Sequence, residues 1–213
     1  MPAASQRLLA LGALHRRPLP RPFVAERLWP HLHARSALGS LRSAVYRVRA
    51  AHPALLASGT EDVSLAEWVR VDVREVEELA LQLIDGAAGY AASDVPVDRL
   101  TVPLLPDCDD DWVVFERGRL QEVCLHALEA HAARLADDRR YAHAIAAAYA
   151  ALRADPLRES AARTLIEVHL AEGNRAQAAR CYMEFRQRLT TALAMEPSEE
   201  MRRLIAPLIR RRP

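Results

Sequence analysis

A faint internal repeat aligns the ten residues beginning at Leu135 with the ten beginning at His169, at an offset of 34 residues. The alanines Ala142 and Ala144 recur as Ala176 and Ala178, and the acidic, turn-forming stretch before them recurs as Glu172-Gly173-Asn174. Self-similarity at this period marks paired-helix repeats. A single helical hairpin cannot bury its apolar face, so neighbours must stack, and a stack of hairpins curves into a solenoid with a concave surface. The competing arrangement is an ordinary helical bundle. Apolar spacing extends the pattern, predicting helices over about 111–136, 141–154, 157–172, 175–194 and 198–209. Asp155-Pro156, Gly173-Asn174 and Glu196-Pro197 separate the last four.

Charge divides the chain differently. Residues 1–53 hold nine arginines against Glu26 alone, a net of +8, while the whole chain of 213 residues carries +1. The remainder is therefore acidic by about seven charges. A basic segment joined to an acidic one suggests that only the first part meets a polyanion. Lysine is absent and Asn174 is the sole asparagine, a bias that looks like a GC-rich genome, so arginine in place of lysine has little meaning here.

The basic segment reads as three short helices and a hairpin. Leu8, Leu9, Leu11 and Leu14 give a helix over 5–14, and the proline-punctuated run from Arg17 to Pro22 stops it. Pro22 suits the start of a second helix, over 23–29, ending at Pro30. In a third, over 34–51, Leu38, Leu41, Val45 and Val48 form one buried stripe. Its opposite side carries Arg35, Ser36, Ser40, Ser43, Tyr46 and Arg47, with Arg42 and Arg49 flanking the stripe. Slim hydroxyls between arginines fit a major groove, where arginine bridges guanine and serine reaches base edge or phosphate. A merely solvated face normally mixes charge signs, but no acidic residue lies between Arg27 and Thr60. Arg17 and Arg21 join Arg49 as candidates to neutralise phosphate, and Trp29 joins Leu41, Val45 and Val48 in seating the helix. Ser58-Gly59-Thr60 signals a turn, and Val63, Leu65, Val69 and Val71 suggest short strands after it.

Asp72 is placed to cap a helix over 72–84, ended by Asp85-Gly86-Ala87-Ala88-Gly89. Residues 86–110 read as irregular. The run Asp107-Cys108-Asp109-Asp110-Asp111 invites a hard cation, but it lacks the glycine-bearing calcium loop, and acids before a long helix suit its dipole. No metal or cofactor is expected. Cys108, Cys124 and Cys181 are far apart and odd in number, so reduced, buried thiols in a cytoplasmic protein are expected. The apolar N-terminus has arginines on both sides and no clean cleavage site, and reads as a core helix. No apolar run is long enough to span a membrane. Phosphate-binding, zinc-protease and serine-hydrolase motifs are missing, and His31, His33, His126 and His131 lack companions at ligand spacing, so no enzyme is expected.

Two stretches of sequence resemble parts of one family. Leu28-Trp29-Pro30, the run from Ala37 to Arg49, and Val69-Arg70-Val71-Asp72-Val73 resemble the DNA-binding part of the Streptomyces antibiotic regulatory proteins. Leu104-Leu105-Pro106-Asp107, Asp110-Asp111-Trp112-Val113, Phe115-Glu116-Arg117, Leu120, the run from Ala154 to Ala161 and that from His169 to Asn174 resemble the bacterial transcriptional activation domain that follows it. The resemblance implies a mainly α fold. A winged helix-turn-helix head with a small β wing would occupy 1–71, and a tetratricopeptide-like all-helical domain 72–213. The 34–51 helix would be the recognition helix and 54–71 the wing. The implied partners are double-stranded DNA, RNA polymerase and a second protomer bound alongside on direct repeats.

Two departures from the family pattern stand out. The family opens with a small sheet, whereas this chain begins almost at the first helix, so that sheet is expected to be missing from the head. Glu61 and Asp62 stand at the expected wing tip, where they would repel phosphate. The nucleotide-binding domain of larger relatives is also not found after the helical part. A protein-interaction adaptor with a degenerate head is the alternative to a DNA-binding regulator.

Overall fold

A computed structural model describes residues 1–57, 59–86 and 95–209. Ser58 of the expected turn and Ala87-Ala88-Gly89 of the expected helix stop lie outside the described residues. The chain is mainly helical and forms two compact units, Met1–Glu75 and Val76–Pro213.

In the first unit, α1 (Ala3–Leu14), α2 (Arg21–Leu28) and α3 (Ala34–Ala51) surround a core that includes Leu8, Leu11, Val24, Leu28, Leu41 and Val48. The proline-rich break after α1 is more than a stop. Leu19–Pro20 is a short strand, β1, antiparallel to β2 (Asp62–Val63), with Leu19 opposite Val63 and Pro20 opposite Asp62. Proline, lacking an N–H, is tolerated here because the sheet has only two strands and both are edges. The segment before β2 folds back on the segment after it. Leu56 bridges Leu65, the Ala57 N–H donates to the Ser64 carbonyl at 3.0 Å, and the Ala66 N–H to that of Leu55 at 3.0 Å.

Pairing stops there, so the strands expected at Val69 and Val71 do not form. The Val69 N–H turns back to the Ala66 carbonyl, and the Val71 carbonyl accepts from the N–H groups of Arg74 and Glu75, opening α4 (Asp72–Asp85). Asp72 accepts from its neighbour Val73 at 2.7 Å, a narrower role than the expected cap. Arg74 sits in the first turn of a helix, where the dipole disfavours a cation. Its guanidinium explains the placement. It donates to the carbonyls of Gly12, Ala13 and His15 at 2.9, 2.8 and 2.6 Å, satisfying the carbonyls left open at the C-terminus of α1.

The second unit is all-helical among its described residues. The segment expected to be irregular contains a 3-10 turn, Val97–Thr101, which buries Leu100. Five helices follow: α5 (Asp111–Asp137), α6 (Tyr141–Ala154), α7 (Glu159–Ala171), α8 (Arg175–Leu193) and α9 (Glu199–Ile209). Helix α7 starts later than apolar spacing suggested, because the Asp155 carboxylate accepts from the Leu157 N–H and holds 155–158 as a turn. Each of α5 to α8 packs on its successor, and α5 also packs on α7. Alanines such as Ala144, Ala147, Ala151, Ala161 and Ala178 are fully buried where the helices meet.

The 34-residue offset reappears as repeated hydrogen bonding. At the end of α5 the Arg140 N–H reaches the Leu135 carbonyl at 2.7 Å, and at the end of α7 the Asn174 N–H reaches His169 at 2.8 Å. The inner bonds, Arg139 to Ala136 at 2.9 Å and Gly173 to Leu170 at 3.0 Å, match as well. These nested bonds close each helix through one residue in the left-handed region. That residue is Gly173 at φ +87° in one repeat and Arg139 at φ +59° in the other. A side chain in this region costs about 1 kcal/mol. Arg139→Gly is therefore expected to stabilise the second unit by about 1 kcal/mol and Gly173→Ala to destabilise it by a similar amount. Urea denaturation followed by circular dichroism checks both.

Candidate nucleic-acid interface

Helix α3 is held on one side and open on the other. Its buried stripe is Ala37, Leu41, Ala44, Val45 and Val48, with Leu41 and Val48 at 0 % exposure. Leu38, expected on that stripe, is only half-buried, and the two alanines complete the seat instead. Trp29 is half-buried at the end of α2, where its backbone N–H donates to the Ala25 carbonyl at 3.0 Å.

On the opposite side Arg35, Ser36, Arg42, Ser43, Tyr46 and Arg47 are exposed, Tyr46 by 73 %, and Ser40 is half-buried among them. The Ser43 hydroxyl donates to the Gly39 carbonyl at 3.2 Å, which leaves its oxygen lone pairs available. Arg35, Arg42 and Arg47 make no hydrogen bond or ion pair among the described residues. The first turn of α3 holds no acidic residue either, so the positive end of the helix dipole is not neutralised from within. The face thus presents free guanidiniums, short hydroxyls and a phenol on one rigid element.

The three flanking arginines differ. Arg17 is exposed. Arg21 and Arg49 are turned inward: Arg21 Nη2 donates to the Gly59 carbonyl at 3.4 Å, and Arg49 Nη2 to that of Ala57 at 3.0 Å. These bonds tie the hairpin to the start of α2 and the end of α3. Glu61 and Asp62 are exposed on that hairpin, with Asp62 in β2. Sequence reasoning passed over Trp68, which is 66 % exposed just after the hairpin; it sits outside any periodic pattern, so nothing marked it.

Other candidate residues fall elsewhere. Cys124 and Cys181 are buried free thiols, and burial pushes Cys124 up to about 11; Cys108, expected to be buried, is partly exposed. His126 lies 3.2 Å from the Arg158 guanidinium, which also pairs with Glu122 and Glu129 at 2.7 Å each. His131 is buried, and burial, then Arg134, Arg140 and His143, hold it below the usual histidine range. Among the described residues, no group of three or more His, Cys, Asp or Glu side chains is arranged to hold a metal ion. No described helix is long and apolar enough to cross a membrane.

Comparison with known proteins fixes the family. The bacterial transcriptional activator domain matches residues 97–208, just over half of the chain. The chain belongs to this family. The resemblance to antibiotic regulatory proteins with such a domain therefore stands, and the bacterial transcriptional activator domain covers the 3-10 turn and α5 to α9. No curated protein matches the sequence. Among solved structures, "Mycobacterium tuberculosis EmbR in complex with low affinity phosphopeptide" shares the fold at a TM-score of 0.73 and 20 % identity. The similarity covers 100 % of this chain and 60 % of the EmbR chain, so this chain spans less than two thirds of that one.

The inward and outward arginines should separate in stability. Arg49→Ala removes a part-buried bond and leaves a carbonyl open, an expected loss of about 1 kcal/mol. Arg42→Ala, on an exposed face, should stay within about 0.5 kcal/mol of the parent. Denaturant midpoints of the two variants measure the contrast.

Proposed function

We propose that this chain is a DNA-binding transcriptional regulator, acting in the cytoplasm as an activator, by binding rather than by catalysis. Residues 1–71 serve as a winged helix-turn-helix domain and 72–213 as a tetratricopeptide-like activation domain. The observation that carries this reading is the open face of α3. Three unpaired guanidiniums, interleaved with serines and a tyrosine, stand on a helix whose other side is fully seated. Three helices followed by a hairpin, with a short strand between the first two helices, also suit the winged-helix reading.

In this account α3 lies in the major groove. Arg35, Arg42 and Arg47 reach guanine edges or phosphate, and Ser36, Ser40, Ser43 and Tyr46 fill the polar contacts between them. Arg17 adds a phosphate contact. Arg21 and Arg49 first position the hairpin and contribute to the field rather than to direct readout. The activator domain, paired helices with repeated turn geometry, supplies the surface that meets RNA polymerase or a second protomer.

A gel-shift and anisotropy series against the chain's own upstream DNA tests the DNA half. Neutralisation of about five phosphates predicts a log–log salt slope of about −4 to −5. Arg42→Ala should weaken binding by about 1–3 kcal/mol if it loses a base contact. A flat salt response, with unchanged affinity in Arg42→Ala, would instead favour a helical-repeat adaptor.

A further inference from the structure

A cleft opens in the second unit where the 3-10 turn meets α5 and the end of α6. Its volume is about 280 Å³, at the small end for small-molecule pockets, which run from roughly 300 to 1,000 Å³. The floor is apolar and buried: Leu100, Leu120 and Leu125 are 4 %, 6 % and 1 % exposed, with Cys124 beside them. Burial pushes the Cys124 thiol up to about 11, so it adds no negative charge near neutral pH.

The walls are held in place. Leu105, beside the cleft, has φ +42°, a region that strongly disfavours a branched side chain. The Arg117 guanidinium holds this segment, donating to the Leu104 and Cys108 carbonyls at 2.7 Å each and to the Leu105 carbonyl between them. Gln121 of α5 donates to the Ala154 carbonyl at 3.1 Å and so joins α5 to the end of α6. Walls fixed in advance lose little freedom when a ligand enters.

Charge selects the ligand. Arg117 and Arg153 line the cleft, and no acidic side chain does. Carbonyls satisfy the Arg117 donors but leave its charge uncompensated. Arg153 is exposed and makes no hydrogen bond or ion pair among the described residues. Carboxylates on the neighbouring elements are engaged elsewhere: Glu77 and Glu116 with Arg119, Glu122 and Glu129 with Arg158, and Asp155 with the Leu157 N–H. Helix α6 ends at the cleft, and a helix C-terminus brings about half a negative charge, which two guanidiniums outweigh. We propose that this cleft binds a small organic monoanion with an apolar body, a carboxylate that meets the Arg153 guanidinium while its hydrocarbon part covers Leu100, Leu120 and Leu125. A guanidinium takes a carboxylate through paired N–H donors. A volume this small holds a small molecule, not a helix or strand of a partner. The site goes beyond the functional reading above and does not depend on DNA binding.

The test titrates phenylbutyrate into the isotope-labelled full chain and follows amide chemical shifts. Saturable changes should cluster on Leu100, Thr101, Gln121 and Arg153, with a Kd of about 1 mM or tighter. Phenylbutanol, which keeps the body and lacks the charge, should bind at least about fivefold more weakly, and acetate, which lacks the body, should not saturate. Arg153→Gln should weaken phenylbutyrate at least about fivefold and leave phenylbutanol unchanged, a split that loss of folding would not produce. Arg153→Lys should retain most of the affinity. Ala154→Leu, which fills part of the cleft, should abolish binding of both compounds. Arg153→Gln should keep parental DNA affinity, so failure of this site and failure of the DNA reading are distinguishable. The proposal is overturned by shifts that do not saturate or that fall outside the cleft, by equal binding of phenylbutanol, or by unchanged phenylbutyrate affinity in Arg153→Gln. It is also overturned if an acidic peptide moves these amides and the free anion does not, which would make a partner protein the occupant.

Discussion

Burial of one side of α3 determines what the first unit can do. Leu41 and Val48 are fully enclosed and Ala37, Ala44 and Val45 nearly so, which leaves the helix one rotational setting about its axis. At 3.6 residues per turn, Arg35, Ser36, Arg42, Ser43, Tyr46 and Arg47 then have nowhere to point but outward. The same atoms on a loosely seated helix would be a mobile basic patch. Here they form a fixed array, and a fixed array can discriminate between base sequences.

The arginines show how one residue type takes on opposite tasks. Arg74, Arg49, Arg21 and Arg117 spend their donors on backbone carbonyls where the chain leaves a helix or turns through a hairpin. Arg35, Arg42 and Arg47 keep theirs free among the described residues. What separates the two groups is the local supply of unsatisfied carbonyls. Helix ends and irregular loops have them, while the middle of α3 has none, since its carbonyls already serve the helix. Basicity in the sequence is thus divided between holding the fold together and facing outward.

Long amphipathic segments were legible in the sequence because their periodicity repeats over many turns. The bounds 34–51 and 141–154 match α3 and α6, and the offset of 34 reappeared as matched turn bonds. What the sequence hid was short or tertiary. Two residues of strand at Leu19–Pro20 have no period to detect, and the prolines pointed to a break. The inward turn of Arg21 and Arg49 depends on where the hairpin carbonyls fall, which no local pattern encodes. Arg74 did leave a trace, as a cation in the first turn of a helix, where the dipole is unfavourable. Leu105 and Trp68 left none: backbone strain and exposure arise only once the loop is fixed in three dimensions.

The central claim is that the open face of α3 is the part that touches DNA. Amide chemical shifts recorded while a specific duplex is titrated into the intact chain test it most directly. The account predicts that the largest changes fall on Arg35, Ser36, Ser40, Arg42, Ser43, Tyr46 and Arg47, with the buried stripe and α6 to α8 little altered. Changes confined to the helical second unit, or none along α3 at saturating duplex, would contradict it.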